Sequence, residues 1–129
     1  MTGYNVTITE CSKELTAKEK IALKDYSNAT QLDAELDNID SIVITPSYYA
    51  LLDVHNEHSK QDKDYKKILI VDTAGNKFVT GSQSFFTAFK EIFDLMANEA
   101  PGEEYSIEVY KKPSKNYSGK SFISCSIVL

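Results

Sequence analysis

Polar and apolar positions alternate over Tyr4 to Thr9 (YNVTIT), with Val6 and Ile8 on one side, and this period of two predicts a short strand. Thr16-Ala17-Lys18-Glu19 follows. Here a Thr hydroxyl can accept from the third helical amide while the Glu side chain reaches back, so the pattern predicts a short helix over about 17 to 25. Ile21 and Leu23 would form its apolar side, with Lys20 and Lys24 in water. Residues 27 to 40 (SNATQLDAELDNID) are acidic and turn-rich, with Leu32, Leu36 and Ile39 as anchors, and predict a tethered loop with one helical turn.

From Ser41 the chain turns to β-branched and aromatic residues in SIVITPSYYALLDVHN, which predicts a strand bent at Pro46, because proline cannot donate to a sheet ladder. YKKILIVD, from Tyr65 to Asp72, predicts a second strand buried on both faces. Thr73-Ala74-Gly75-Asn76 then forms a tight turn, and Lys77 to Thr80 completes a hairpin. Phe85, Phe89, Ile92, Phe93 and Met96 recur at the three-four spacing of a buried helical stripe, capped from the Gly81-Ser84 stretch and stopped by Pro101-Gly102. Two alternating strands close the chain: Tyr105 to Tyr110, and Ser121 to Leu129 with Ile123, Cys125, Ile127 and Leu129 on its apolar face.

Three strands, a helix and two strands, with the first strand bent, is the order of an OB-fold. The expected class is therefore mainly β with α: an OB-fold-like five-stranded barrel over residues 41–129, with the helix between its third and fourth strands. Residues 1–40 would add an N-terminal strand and helix packed on the barrel, the whole forming a single domain. A chain of 129 residues suits one such domain, and a hydrophobic fraction of 42% excludes a disordered chain. No apolar run approaches the roughly 18 residues of a membrane-spanning helix. Cys11 and Cys125 fit no metal spacing, and the start of the chain lacks the basic and apolar character of a leader, so a reduced, cytoplasmic protein is expected. The triplets beginning at Asn5, Asn28 and Asn116 then match the glycosylation pattern by chance.

Charge narrows the function. All 14 cations are lysines against 19 acids, for a net charge of −5. Without arginine, the fork that reads guanine edges is missing, and sequence-specific duplex recognition is not expected. The balance is uneven: residues 1–40 and 41–104 each carry −4, whereas residues 105–129 carry +3. In that last segment Lys111, Lys112, Lys115 and Lys120 are interleaved with Tyr110, Tyr117 and Phe122. Alternating cations and aromatics suit an unpaired nucleic acid, whose phosphates want positive charge and whose bases want a flat apolar face. Lys60, Lys63, Tyr65, Lys66 and Lys67 repeat the theme between the first two barrel strands, and in an OB-fold these two loops flank the binding face. Lys77 and Phe78 complete the candidate site, and Tyr49 is a further aromatic that could face outward.

Other chemistries find less support. ILIVDTAGN looks like a GTPase strand and turn, but Gly119-Lys120-Ser121 carries only the end of a phosphate loop and leads into a strand. Asp72-Thr73 lacks the second copy an aspartic protease needs. Asp53, His55, Glu57 and His58 contain metal-ligand types, but His55 and His58 would lie on opposite sides of a continued strand, and the polar strand end is the plainer reading. Cys125 falls on an apolar phase as a small buried hydrophobe. No acid, base and oxyanion site assemble, so no enzyme, metal or cofactor is expected.

From about Lys67 to Leu129 the layout resembles the small single-stranded DNA-binding proteins of bacteriophages, especially those of protein-primed phages. The residues that carry it are Ile68 to Val71, Asp72, Gly75, Phe78, the helix from Phe85 to Met96, and Gly119-Lys120-Ser121-Phe122 entering the last strand. The resemblance covers about half the chain. It implies an OB-fold that coats displaced strands during phage replication or recombination in the infected bacterial cytoplasm, without catalysis and with little base preference. Single-stranded DNA is then the expected partner, with a second copy of the chain and replication proteins as further partners left open. The segment from Thr16 to Asp40 has no counterpart in that layout; an oligomer contact and a lid are the roles open to it. The alternative from another class is an acidic phage or mobile-element protein that inhibits or adapts a host protein, for which residues 27 to 40 and Glu99 to Glu104 argue.

Overall fold

A computed structural model describes residues 4–25, 28–56, 64–113 and 121–129. The chain is mainly β; the described residues hold eight strands and three helices in the order β1 (Tyr4–Cys11), α1 (Ala17–Lys24), β2 (Thr30–Gln31), α2 (Leu32–Glu35), β3 (Ser41–Ile44), β4 (Pro46–Asn56), β5 (Asp64–Asp72), β6 (Lys77–Thr80), α3 (Gln83–Glu99), β7 (Ile107–Pro113) and β8 (Ser121–Ile127). They form two compact units, each from two stretches of chain: residues 1–31 with 47–81, and residues 32–46 with 82–129. Residue 40 thus lies inside the first stretch of the second unit.

The first unit is a five-stranded sheet in the order β1-β4-β5-β6-β2. β1 runs antiparallel to β4, pairing Val6 with Val54 and Ile8 with Leu52, and a bulge at Thr9 shifts the register so that Glu10 meets Leu51. β5 and β6 form the expected hairpin, in which Ile70 meets Phe78. Its turn is held by Asp72, whose carboxylate accepts from the Ala74 and Asn76 amides at 3.0 and 2.7 Å, while Gly75 takes the positive φ of 90° that the turn requires. One face of the sheet buries Val6, Ala50, Leu52, Val54, Leu69 and Val71 around Leu23 of α1. The foreseen capping box is in place on this helix: Thr16 Oγ1 accepts from the Glu19 amide at 3.2 Å, and the Thr16 amide donates to Glu19 Oε1 at 3.0 Å. Only Leu23 of its expected apolar pair is buried; Ile21 is 71% exposed, because residues two apart on a helix point to nearly opposite sides.

The second unit is a three-stranded antiparallel sheet in the order β3-β7-β8. Ile44, Ile107, Val109, Ile123 and Cys125 are buried on one side of it. α3 packs along β8; Ser82 caps it, accepting from the Phe85 amide at 3.2 Å, and Ser84 Oγ donates to the Ile123 carbonyl at 2.9 Å. Phe85 and Phe89 of its stripe are fully buried, their rings stacked with centroids 5.8 Å apart.

The expected bend at Pro46 is present in a stronger form, since β3 and β4 join different sheets. The expected OB-fold-like five-stranded barrel is not seen: the strands of the described residues form two open sheets. The reason lies in the first 31 residues, which supply β1 and β2 as the two edge strands of the five-stranded sheet. β2 runs parallel to β6, Thr30 beside Phe78 and Gln31 beside Val79, and occupies the edge of β6 that closure would need.

Candidate nucleic-acid interface

Strand periodicity sorts the side chains of the three-stranded sheet into two faces. Cross-strand partners are Ser41 with Tyr110, Val43 with Glu108, Tyr110 with Ser124, Glu108 with Ser126 and Lys112 with Phe122. These residues share the face opposite the buried Ile44, Ile107, Val109, Ile123 and Cys125. It is an open face, on which Val43 is 61% exposed and Glu108, Lys112, Phe122 and Ser126 are exposed as well. Tyr110 and Phe122 are diagonal neighbours across the β7–β8 pair, at a Cα spacing of about 7 to 8 Å. The Tyr110 hydroxyl shares a 2.7 Å hydrogen bond with Ser126 Oγ, which restrains the ring along the strand. Two aromatic rings, a lysine opposite one of them and a row of hydroxyls (Ser41, Ser124, Ser126) therefore occupy one surface. Glu108 makes its far end acidic, so the cationic half is the end with Lys112 and Phe122.

The next residue, Lys111, leaves β7 on the other face at the same end of the hairpin, and its ammonium forms an ion pair with Asp37. Tyr110, Lys111, Lys112 and Phe122 are thus held on two adjacent strands, three of them on one face. Lys115, Tyr117 and Lys120 lie outside the described residues.

The candidates in the first unit are engaged within it. Tyr65 packs against the Leu23 core, with Lys67 Nζ 5.7 Å from its ring centroid. Lys77 Nζ donates to the Ala22 carbonyl at 2.9 Å, a cation at the C-terminal end of α1 where the helix carbonyls lack partners. Phe78 is half-buried between Thr30 and Ile70. Lys66 is exposed on the opposite face of β5 from Tyr65 and Lys67. Lys60 and Lys63 lie outside the described residues. Tyr49, weighed as an outward aromatic, is 3% exposed, and its hydroxyl donates to Glu10 Oε2 at 2.7 Å; the residue that pairs with an edge strand is covered by it.

The polar end of β4 takes a definite shape. Thr7, Asp53, Val54, His55, Asp64, Tyr65 and Lys66 line a depression of about 390 Å³, and His55 Nδ1 lies 2.6 Å from Asp64 Oδ1. Glu57 and His58 lie outside the described residues, and among the described residues no three His, Cys, Asp or Glu side chains are grouped to hold a metal ion. The other potential nucleophile, Cys125, is buried, which pushes its thiol up to about 12.

Two features of the interface were not singled out from sequence. Ser124 and Ser126 share the phase of Phe122 in SFISCSIVL, so strand alternation was the signal for them. Asp37 gave none, since 74 positions separate it from Lys111. No helix among the described residues is long and apolar enough to cross a membrane. No protein-family model, curated protein or solved structure matches the chain.

Proposed function

We propose that the chain binds single-stranded nucleic acid, DNA in the first instance, with little base preference, and that the open face of β3-β7-β8 is the contact surface. The observation that carries the reading is the grouping of Tyr110, Phe122 and Lys112 on that face; in sequence, residues 114–120 between the two strands add Lys115 and Lys120. Stacking accepts any base, and lysines answer phosphates without reading sequence, so this chemistry gives coating rather than addressing. Of the candidates in the first unit, Tyr65, Lys66, Lys67, Lys77 and Phe78, the exposed Lys66 is proposed as a phosphate contact of that unit by itself.

The fold proposed for this role is an opened relative of the OB barrel. Support comes from the element order of β3/β4, β5, β6, α3, β7 and β8, and from a bent first strand that serves two sheets. The biological setting follows from the resemblance to phage strand-coating proteins: protection of displaced strands during replication or recombination, with no catalytic step.

Fluorescence titration with a labelled oligonucleotide tests the reading. Phe122→Ala should weaken binding about 5- to 100-fold, the range of a lost base stack, while melting within a few degrees of the parent because its ring is on the open face. With about four phosphates contacted, log affinity should fall against log salt with a slope near −3. DNA and RNA oligonucleotides of equal length, titrated side by side, define the preferred polymer. No binding at low salt would overturn the proposal and leave the acidic surface, with a host protein as its partner, as the reading to pursue.

A further inference from the structure

Resting on the single-strand reading above, we infer that Asp37 is a built-in competitor for phosphate at Lys111, so that the acidic segment before β3 sets how tightly the end of the β7–β8 hairpin holds a strand. Between residues 28 and 40 the chain carries Asp33, Glu35, Asp37 and Asp40 and no lysine. Leu32 and Leu36, 0% and 7% exposed, anchor this segment, which belongs to the second unit. Its backbone is wound by bonds from the Leu36 amide to the Leu32 carbonyl at 3.0 Å and from the Ile39 amide to the Glu35 carbonyl at 3.1 Å. The segment then runs directly into β3, where Ser41 pairs with Tyr110. Covalent continuity and strand register together bring Asp37 to the residue after Tyr110, and the ion pair with Lys111 is the outcome.

A carboxylate and a phosphate both offer anionic oxygens to the ammonium group, and their mutual repulsion sets them in competition for it. The carboxylate is tethered and needs no encounter, which gives it a high effective concentration. It is also displaceable, because the Asp37 side chain is 67% exposed and a wet ion pair is weak. A strand stacked on Tyr110 and Phe122 that leaves the sheet past Lys112 reaches Lys111, on the opposite face, by turning over the end of the three-stranded sheet. There its phosphate gains from counterion release, which the tethered carboxylate cannot match. The pairing therefore lowers affinity without abolishing it, and it removes one cation from the count that sets the salt slope.

The test is a low-salt titration of the full chain with a labelled single-stranded DNA oligonucleotide, comparing the parent with Asp37→Asn and with Glu91→Gln. Glu91→Gln makes the same change in net charge at an exposed position on α3. Asp37→Asn should bind about two- to fivefold more tightly, the range of an exposed ion pair, and its log–log salt slope should steepen by about 0.7. Glu91→Gln should stay close to the parent, and the gain from Asp37→Asn should vanish in a Lys111→Gln background. Equal effects of Asp37→Asn and Glu91→Gln, or a gain that survives Lys111→Gln, would overturn the competition while leaving the single-strand reading intact. Absence of binding by the parent and every variant would overturn both.

Discussion

Individual side chains carry sharp expectations. Lys13 Nζ donates to Glu19 Oε2 at 2.8 Å and sits 4.7 Å from the Tyr48 ring centroid. That hydrogen bond, aided by the Thr16 amide, holds the Glu19 carboxyl down at about 2. A depressed folded-state value means that the contribution is present above the unfolded value near 4.5 and is lost as pH falls through about 2. Carboxyl-detected NMR should therefore find Glu19 titrating well below the ordinary glutamate value of 4.5 in the parent and returning upward in Lys13→Ala. The two cysteines should separate just as cleanly, since Cys125 is buried with its thiol raised to about 12 and Cys11 is half-exposed. A disulfide reagent at pH 8 should titrate one thiol in the native protein and two in denaturant; two fast native thiols would contradict the packing of β8. The Thr16–Glu19 box and the burial of Cys125 were legible in the sequence because each rests on local spacing. The pairings of Tyr49 with Glu10 and of Lys111 with Asp37 were not, because each joins residues far apart in the chain.

At the level of elements, α3 and β8 hold the second unit together through one buried stripe. Phe89→Ala should cost about 3 to 5 kcal/mol in denaturant melts, a large aromatic lost from a site with no exposure. Ser82→Ala, which removes the cap on the Phe85 amide and the 3.0 Å hydroxyl bond with Ser84, should cost about 1 kcal/mol. Long elements with strong periodicity were legible: the α3 stripe, the β5–β6 hairpin and the break at Pro46 all follow from spacing and turn chemistry. β2 was not, for a physical reason. Two residues paired in parallel have no period to display, and their identity as a strand comes from the open edge of β6 rather than from Thr30 and Gln31 themselves. The bulge at Thr9 is of the same kind, since the register slip depends on β4 as much as on β1. At the candidate site, the phase of Tyr110, Lys112 and Phe122 could be read along each strand separately, but their assembly on one face needed the register between strands.

For the whole molecule, the amino-terminal residues matter more than an appended layer would. They bring Val6 and Leu23 into the core of the five-stranded sheet and cover the edges of β4 and β6. A fragment of residues 41–129 should therefore lose cooperative melting, as followed by circular dichroism; a sharp transition at the parent's temperature would show residues 1–40 to be dispensable. The reading of the element order from Ser41 onward survives this, whereas the five-stranded barrel does not, because barrel formation is a relation between distant edges and any short segment can claim an edge first. The interleaving of the units, which exchange the chain at residues 31–32, 46–47 and 81–82, bears on biosynthesis. A nascent chain leaving the ribosome has every strand of the first sheet once Gly81 emerges, but β3 must wait for β7 and β8, which are translated last. Premature termination within those final strands would leave a half-built polypeptide with β3 stranded, a ready substrate for chaperones and proteases.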